Sequence, residues 1–420
     1  MTKVKHCFLC FYVFMFVFSL SMPIFYHSAF FVGVITSVHL LYVKKALSLS
    51  INNYIGKFVV LSLIGYLSVI IIVMAHDTYD LTYLKTYTNN ILSSLCAIPL
   101  AYLFVHYYKH DAFNKISQIF GAVFFIQAVI IVLTFLSPEL KSIVVLFHRD
   151  AEATAAADVF SKGLRSNALS GGLFFGLALS FSLGLLIYLF NAYILNRNKF
   201  TAKGGLYYFI INIGLAFSGR FGAIYVLILP ILFIKLKSKT KQILRAFFYL
   251  IILMLLAYII YLNNNTLKNL YDTIIYGYVF EMLDAYLTGG GGGTYSTNRL
   301  IDMYNLNVPV ESLIFGDGLY TGADGLYYKH VDVGYLRILL FGGIPFLIFG
   351  LVFTFSLISP LFNITVKGQT LKPLFFSILA LYLLASFKGE VMVTLVSVNS
   401  LVFLLCLVLI LTNRILRRKI

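Results

Sequence analysis

The sequence predicts an all-α polytopic membrane protein, and three observations support that fold class. Hydrophobic residues make up 60% of the chain and charged residues only 11%, whereas soluble domains are about half apolar and about one quarter charged. The mean hydropathy is +0.91. Apolar runs of roughly 20 residues, the length that crosses a bilayer as a helix, recur along the chain. These properties exclude a soluble globular domain.

We expect about twelve transmembrane helices. The first apolar run follows Lys3 and Lys5 as in a signal peptide, but no small-residue cleavage site follows it and a second run begins at once. The sequence therefore predicts a retained first helix. The runs lie near residues 7–22, 28–43, 58–75, 91–108, 116–136, 169–195, 205–217, 221–234, 246–262, 333–357, 373–387 and 391–411.

The distribution of charge predicts the orientation of these helices. Lys and Arg concentrate in cytoplasmic loops, and with both termini in the cytoplasm most of the 32 Lys and Arg residues fall inside. Asp111 is the only one of the 16 Asp and Glu residues that does so. The net charge of +16 is thus explained by membrane orientation, and no nucleic-acid partner is expected.

Two long outer segments divide the chain into five parts. These parts are helices 1–5 (residues 1–136), a first large outer loop (137–168), helices 6–9 (169–262), a second large outer loop (263–332) and helices 10–12 (333–420). Binding and catalytic residues concentrate on loops that a rigid scaffold positions. Function is therefore expected in the two large outer loops.

The segment from 205 to 234 predicts a turn inside the membrane. Basic segments flank it on both sides, so the chain must cross an even number of times, as two short helices broken at Ser218, Gly219 and Arg220. Each half is shorter than the roughly 20 residues of a full span. A charge at that depth is tolerated only in a protein-lined or water-filled cavity, so Arg220 is the best single pointer to a site.

Four arginines on the predicted outer side belong to distinctive stretches: Arg165, Arg220, Arg299 and Arg337. A guanidinium donates several hydrogen bonds in a planar fork and stays charged when partly desolvated, which suits phosphate groups. Several converging arginines therefore indicate an anionic ligand such as a diphosphate. Arg165 and Arg337 are equally well explained as interfacial anchors at helix ends.

Asp332 and His330 are the candidate general bases. Both precede a helix predicted to start near Gly334, close to the arginines, where a carboxylate or imidazole can accept a proton from a sugar hydroxyl. The alternative for Asp332 is an N-cap of that helix. The alternative for His330 is a surface histidine.

Glycines are assigned to loop flexibility at two places. Five consecutive glycines in the second outer loop cannot form a stable helix and predict a mobile strap before Arg299; a slack linker is the alternative. The assigned residues are Gly289, Gly290, Gly291, Gly292 and Gly293 of the strap, and Gly316 and Gly318 of the later glycine-rich turn. The four cysteines fall in apolar runs, and no metal site or cofactor is expected.

Four segments in order, "GLRSNALSGG", "FSGRFGA", "NRLIDMY…SLIFGDG" and "DVGYLRILLFGGIP", resemble bacterial O-antigen polymerases of the Wzy type, a group that includes the O-antigen ligases. The resemblance covers roughly residues 160 to 350. It implies a GT-C glycosyltransferase without a metal or cofactor, which polymerises undecaprenyl-diphosphate-linked repeat units at the periplasmic face of the bacterial inner membrane. Lipid-linked glycans are then donor and acceptor, Arg165, Arg220 and Arg299 hold the diphosphate, and a chain-length regulator is the implied protein partner.

Two alternatives remain beside the polymerase. O-antigen ligases carry a histidine four residues before the leucine of the "YL" pair, where this chain has Asp332 and places His330 two residues earlier; that difference favours a polymerase. A flippase or transporter of lipid-linked oligosaccharides usually has charges along a central path between similar halves. Here the polar residues gather in two outer loops, which favours the enzyme.

Overall fold

A computed structural model of the protein describes residues 3–22, 24–44, 52–148, 166–172, 174–196, 202–226, 228–229 and 295–417. This part of the chain is mostly helical. Its strands form two short antiparallel hairpins, in which Ser21–Met22 pairs with Tyr26–His27 and Thr365–Val366 pairs with Gln369–Thr370. The predicted helical fold class is confirmed for these residues.

The helices of the N-terminal half are Lys3–Phe18, Ser28–Lys44, Asn53–Ala75, Thr82–Leu95, Ala97–Tyr108, Ala112–Leu136, Pro138–Val145, Phe174–Leu189 and Ala202–Ser218, with a π-helical turn at Phe190–Leu195 and 3₁₀ turns at Lys109–Asp111 and Arg220–Ile224. Those of the C-terminal half are Tyr295–Tyr304, Val310–Phe315, Gly334–Ile358, Pro360–Asn363, Lys372–Ala385 and Val396–Arg417, with a 3₁₀ turn at Tyr328–His330.

Within the described ranges, five helical stretches are long and apolar enough to cross a membrane, and four shorter apolar helices accompany them. Large apolar side chains on one of the long helices, Asn53–Ala75, face outward, among them Leu63, Leu67, Ile71 and Met74. An exposed stripe of this kind is typical of a lipid-facing surface, because lipid tails are as apolar as these side chains. The count of twelve crossings stays a prediction.

The helix Val396–Arg417 lies at the centre of the bundle. It packs against Thr82–Leu95, Ala97–Tyr108, Ala112–Leu136 and Phe174–Leu189. Its stretch from Leu401 to Leu411 is uninterruptedly apolar, and most side chains of the helix are buried, as expected for a helix surrounded by other helices.

Two contacts join segments that the charge pattern assigns to the same side of the membrane. At one end of the bundle, segments assigned to the inner side meet, since Lys367 Nζ donates to Asn196 Oδ1 at 2.6 Å. Segments assigned to the outer side meet elsewhere, since Thr78 Oγ1 donates to the Gly318 carbonyl at 2.7 Å. The predicted loops of one side therefore contact loops of the same side.

The chain turns sharply at the predicted Ser218–Arg220 break. The helix Ala202–Ser218 ends there, and a 3₁₀ turn, Arg220–Ile224, follows Gly219. This turn packs closely on the helix Phe174–Leu189, where Ser182 Oγ lies 2.6 Å from the Gly222 carbonyl oxygen. Of the helix predicted over 221–234, the structure describes residues 221–226 and 228–229, and the first of these belong to the 3₁₀ turn.

Candidate functional site

The site lies where the second outer loop meets a broken helix. The helix Gly334–Ile358 is interrupted at Gly342 and Gly343, whose backbone angles are not helical, and Pro345 follows. The interruption leaves carbonyl groups without helical partners. The turn before the helix supplies donors instead: Asp317 N lies 2.6 Å from the Leu340 oxygen, and Gly318 N lies 3.0 Å from the Phe341 oxygen.

Gly316 and Gly318 hold this turn against the broken helix. Both have positive φ, +81° and +66°, which strains any residue with a Cβ. A Cβ on Gly318 would also lie 2.7 Å from His76 Cβ. The prediction that these two glycines provide loop flexibility is therefore corrected, because their small size serves close packing.

A short outer turn clamps the same loop from the other side. Asp80 Oδ2 accepts hydrogen bonds from the backbone N–H groups of Tyr320 at 2.8 Å and Thr321 at 2.7 Å. Burial raises the pKa of Asp80, but the backbone donors of Thr82, Thr321 and Tyr320 outweigh that effect and lower it overall. The clamp fixes the loop that carries the candidate base.

Arg337 lies in a closed cage under this loop. Its side chain is 9% exposed, and its guanidinium carbon lies 4.1 Å from the centroid of the Tyr320 ring and 3.7 Å from that of Tyr327. Both rings attract the cation through their π faces. Arg337 Nη1 lies 3.9 Å from Oε2 of Glu390, so a buried carboxylate balances its charge.

Glu390 is the centre of this buried network. It accepts hydrogen bonds from Tyr83 Oη at 2.8 Å and from Tyr320 Oη at 3.1 Å. Burial, followed by the nearby Glu390 charge, raises the pKa of Tyr320 well above its ordinary value. The tyrosines therefore stay neutral and donate to the carboxylate.

The cage does not present Arg337 to a ligand in this conformation. Its Nε and Nη2 atoms have no hydrogen-bond partner among the described residues. The crevice that the guanidinium shares with Leu319, Tyr328 and Leu340 is too narrow for a water-sized sphere. The prediction that Arg337 binds the diphosphate directly does not fit this enclosed position.

Asp332 precedes the helix Gly334–Ile358, and three cations act electrostatically on its carboxyl group. Burial by the surrounding protein raises the pKa of its carboxyl group, and the positive charges of Lys388, Arg299 and Arg337 oppose the rise without cancelling it. The N-cap of the following helix is Val333, and no side chain caps it, so the N-cap alternative for Asp332 is not supported. A carboxylate with a raised pKa beside cations suits a general base.

His330 has a different environment. Its Nε2 lies 3.4 Å from Asp324 Oδ2, and the two side chains are 62% and 47% exposed. Its backbone φ is +56°, so it sits on a tight turn that directs it to the loop surface. Of the two candidate bases, the structure brings Asp332 to the cations.

One segment that the sequence reasoning overlooked, Ser386–Glu390, joins the pieces of the site. The Tyr335 N–H donates to the Ser386 carbonyl at 3.1 Å, and Tyr304 Oη donates to the Phe387 carbonyl at 2.9 Å. Tyr304 ends the helix that carries Arg299. The charges of Lys388 and Glu390 between two apolar runs are the signal that the sequence offers for this segment.

The remaining predicted site residues have different placements. Arg299 is exposed on the helix Tyr295–Tyr304. Arg220 begins its 3₁₀ turn, and the next residue, Phe221, has its ring 5.7 Å from Lys388 Nζ. Arg165 and the strap glycines 289–293 lie outside the described residues.

Within the ranges given above, no group of three or more His, Cys, Asp or Glu side chains is arranged to hold a metal ion.

Comparison of the chain with family models, with curated proteins and with solved structures gives no match.

Proposed function

We propose that this protein is an integral-membrane glycosyltransferase that polymerises undecaprenyl-diphosphate-linked repeat units into O-antigen or a related surface polysaccharide. One observation carries the proposal: the positive charges of Lys388, Arg299 and Arg337 act together on the Asp332 carboxyl group, at an end of the apolar helical bundle that the charge pattern assigns to the outer side. A carboxylate and several cations are what a diphosphate leaving group and an attacking hydroxyl require.

The proposed reaction uses these groups in two roles. Asp332 takes the proton of the acceptor hydroxyl as its oxygen attacks the anomeric carbon of the donor glycan. The bond from that carbon to the diphosphate breaks, and its electron pair leaves with the lipid diphosphate. Arg299 and Lys388 stabilise the charge that develops there, and the buried Arg337 adds its field.

The orientation belongs to the same proposal. We place twelve helices of the GT-C kind in the bacterial inner membrane, with both termini cytoplasmic and the Asp332 site periplasmic. The lopsided distribution of acids and bases along the sequence supports this orientation. It puts the site where lipid-linked repeat units are joined in the family that the sequence resembles.

A lipopolysaccharide gel tests the function. A strain lacking the gene should make lipid A-core with a single repeat unit, and the wild-type gene should restore the ladder. Arg299→Ala and Arg220→Ala should shorten or abolish it, whereas Arg417→Ala, an exposed arginine at the opposite end of the protein, should not. Bare core without any repeat would contradict the polymerase and indicate a flippase, or a ligase if lipid-linked polymer accumulates.

A further inference from the structure

One edge of the Arg337 guanidinium is buried without a partner. Nη1 faces Oε2 of Glu390 at 3.9 Å, whereas Nε and Nη2 have no hydrogen-bond partner among the described residues. The N–H groups of Nε and Nη2 point to the same side of the planar fork, which is an edge that holds two oxygens of one carboxylate or phosphate group. Buried donors without a partner cost free energy, so this edge favours an oxyanion.

The ring of Tyr327 separates this guanidinium from the outside. Its centroid lies 3.7 Å from the guanidinium carbon, yet Tyr327 is 49% exposed while Arg337 is buried. The second ring, Tyr320, is itself buried and donates to Glu390, which fixes its position. Cation–π contacts at exposed sites are weak, and exposed side chains change rotamer within nanoseconds. Of the two rings, Tyr327 is therefore the one that is free to move away.

Tyr327 lies on an exposed hairpin tip whose two ends are held. Asp80 holds the chain before the tip through two backbone N–H groups. Lys329 Nζ, 3.0 Å from Asp317 Oδ2, holds the chain after it. Residues 323–327 between these anchors are exposed. Loops that close over binding sites move between fixed ends in this way.

We propose that Tyr327 is a gate over an oxyanion site formed by the Nε–Nη2 edge of Arg337. In the closed form the ring stacks on the guanidinium and no ligand reaches it. In the open form the ring swings outward, and a carboxylate or phosphate group accepts two hydrogen bonds from the edge. Glu390 keeps its place in both forms, since it faces Nη1. The inference does not depend on the polymerase, because it needs only an anionic group that reaches the outer loop.

Reaction of the full-length protein in detergent with phenylglyoxal, an arginine reagent, tests the gate when peptide mass spectrometry locates the modified residues. Arg337 of the wild type should react slowly but measurably, through the open form. Tyr327→Ala should raise this rate about tenfold, as expected when a cation–π cover is lost. Tyr327→Phe keeps the ring and should react as the wild type does. Leu326→Ala is the matched control, since Leu326 is an exposed neighbour on the same tip, and it should also react at the wild-type rate.

Protection of the wild type from phenylglyoxal, at constant ionic strength, identifies the oxyanion. Saturable protection of Arg337 by inorganic pyrophosphate would indicate a phosphate group, and protection by glucuronate a sugar carboxylate. Either result supports the site if the exposed Arg417 is not protected, because a general effect of the anion on the reagent would slow both arginines. Protection by neither probe would overturn the oxyanion site.

Equal Arg337 rates in Tyr327→Ala and the wild type would overturn the gate, as would a wild type whose Arg337 never reacts. The unfolding temperature of each variant reports its folding separately, and the protection of the wild type needs no variant. The two proposals also fail separately. A normal ladder in the strain lacking the gene would contradict the polymerase and leave the protection of Arg337 to stand.

Discussion

Arg337 and Glu390 form a buried ion pair, in which each charge depends on the other for its stabilisation. The two side chains are 9% and 2% exposed, and an isolated charge at such a position is costly. The rings of Tyr320 and Tyr327 lie against the guanidinium, and two tyrosine hydroxyls donate to the carboxylate. The pair therefore ties the outer loop, the broken helix and the Ser386–Glu390 segment together.

Glu390→Ala should strongly destabilise the protein, by about 3–5 kcal/mol, because it leaves the buried Arg337 without a counter-ion. Glu311→Ala is the matched control, since Glu311 is an exposed glutamate of the same outer region, and it should change stability by less than about 0.5 kcal/mol. Thermal unfolding in detergent measures both.

The double variant Arg337→Met/Glu390→Leu should recover much of the lost stability. An unfolding temperature unchanged by Glu390→Ala would contradict the stabilising role of the ion pair.

The raised pKa of Asp332 predicts where the polymerisation rate falls on the acidic side of the pH–rate profile. A general base must be deprotonated, so the rate should fall, as pH decreases, at a pH above the ordinary pKa of an aspartate. Lys388→Ala removes the strongest of the three attractive charges, which raises the pKa further and shifts the limb to higher pH. Lys388→Arg should restore the wild-type limb. Initial rates measured against pH check both, and a limb that does not move would contradict this assignment.

At the scale of elements, the broken helix Gly334–Ile358 explains the glycine-rich turn before it. The pattern "FGGIP" belongs to one of the family-like segments, but the sequence alone predicted one continuous helix through it. The structure breaks the helix at Gly342 and Gly343, and Gly316 and Gly318 bring backbone donors to the freed carbonyls. Such a pairing joins residues distant along the chain, so hydropathy cannot reveal it.

Gly343→Ala should disrupt this arrangement. Its φ is +66°, and a Cβ there would overlap the Ile314 carbonyl oxygen, so a loss of about 1–3 kcal/mol is expected from backbone strain alone. Gly350→Ala, in the same helix, is the control, because its Cβ would lie 3.4 Å from the nearest atom of Val393, at an ordinary contact distance. Unfolding temperatures of the two purified variants test this, and equal values would refute the packing role.

Asp80→Asn should loosen the outer loop. One amide oxygen cannot replace both carboxylate oxygens, which accept from Thr82 on one side and from Tyr320 and Thr321 on the other. Amide hydrogen exchange at Tyr320 and Thr321 should accelerate about tenfold, in line with the loss of a charge-assisted hydrogen bond. Asp77→Asn, at an exposed position of the same turn, should leave exchange unchanged. Equal exchange in the two variants would count against the clamp.

Across the whole chain, the apolar runs predict where the helices lie better than they predict the residues at which each helix begins and ends. The run predicted at 391–411 begins too early, because the helix starts at Val396 and the preceding residues Val391, Met392, Val393 and Thr394 are buried without being helical. Residues 76–90 lie between the predicted helices 58–75 and 91–108, but the chain is helical from Thr82. Asn90 inside that helix donates to the Val393 carbonyl at 2.6 Å. This polar side chain therefore bonds to a buried carbonyl group and not to water.

The candidate site was predictable in part. Asp332 and Arg299 were found because their charges stand out between apolar runs, and the structure brings both to one place. Lys388 and Glu390 have the same local signal, but only the packing of distant helices shows that they join the site. Arg337 was assigned a ligand-binding role because a sequence does not show that tyrosines 17 and 10 residues before it cover its faces.

The most direct test of the account is polymerisation by Asp332→Asn in proteoliposomes supplied with lipid-linked repeat units. Loss of the general base should lower the rate about 10²-fold or more, because no carboxylate then accepts the proton of the acceptor hydroxyl. Asp324→Asn, the aspartate beside His330, is the matched control and should polymerise at the wild-type rate. Wild-type chain lengths and rates from Asp332→Asn would contradict the central claim that Asp332 and its cations form the active site.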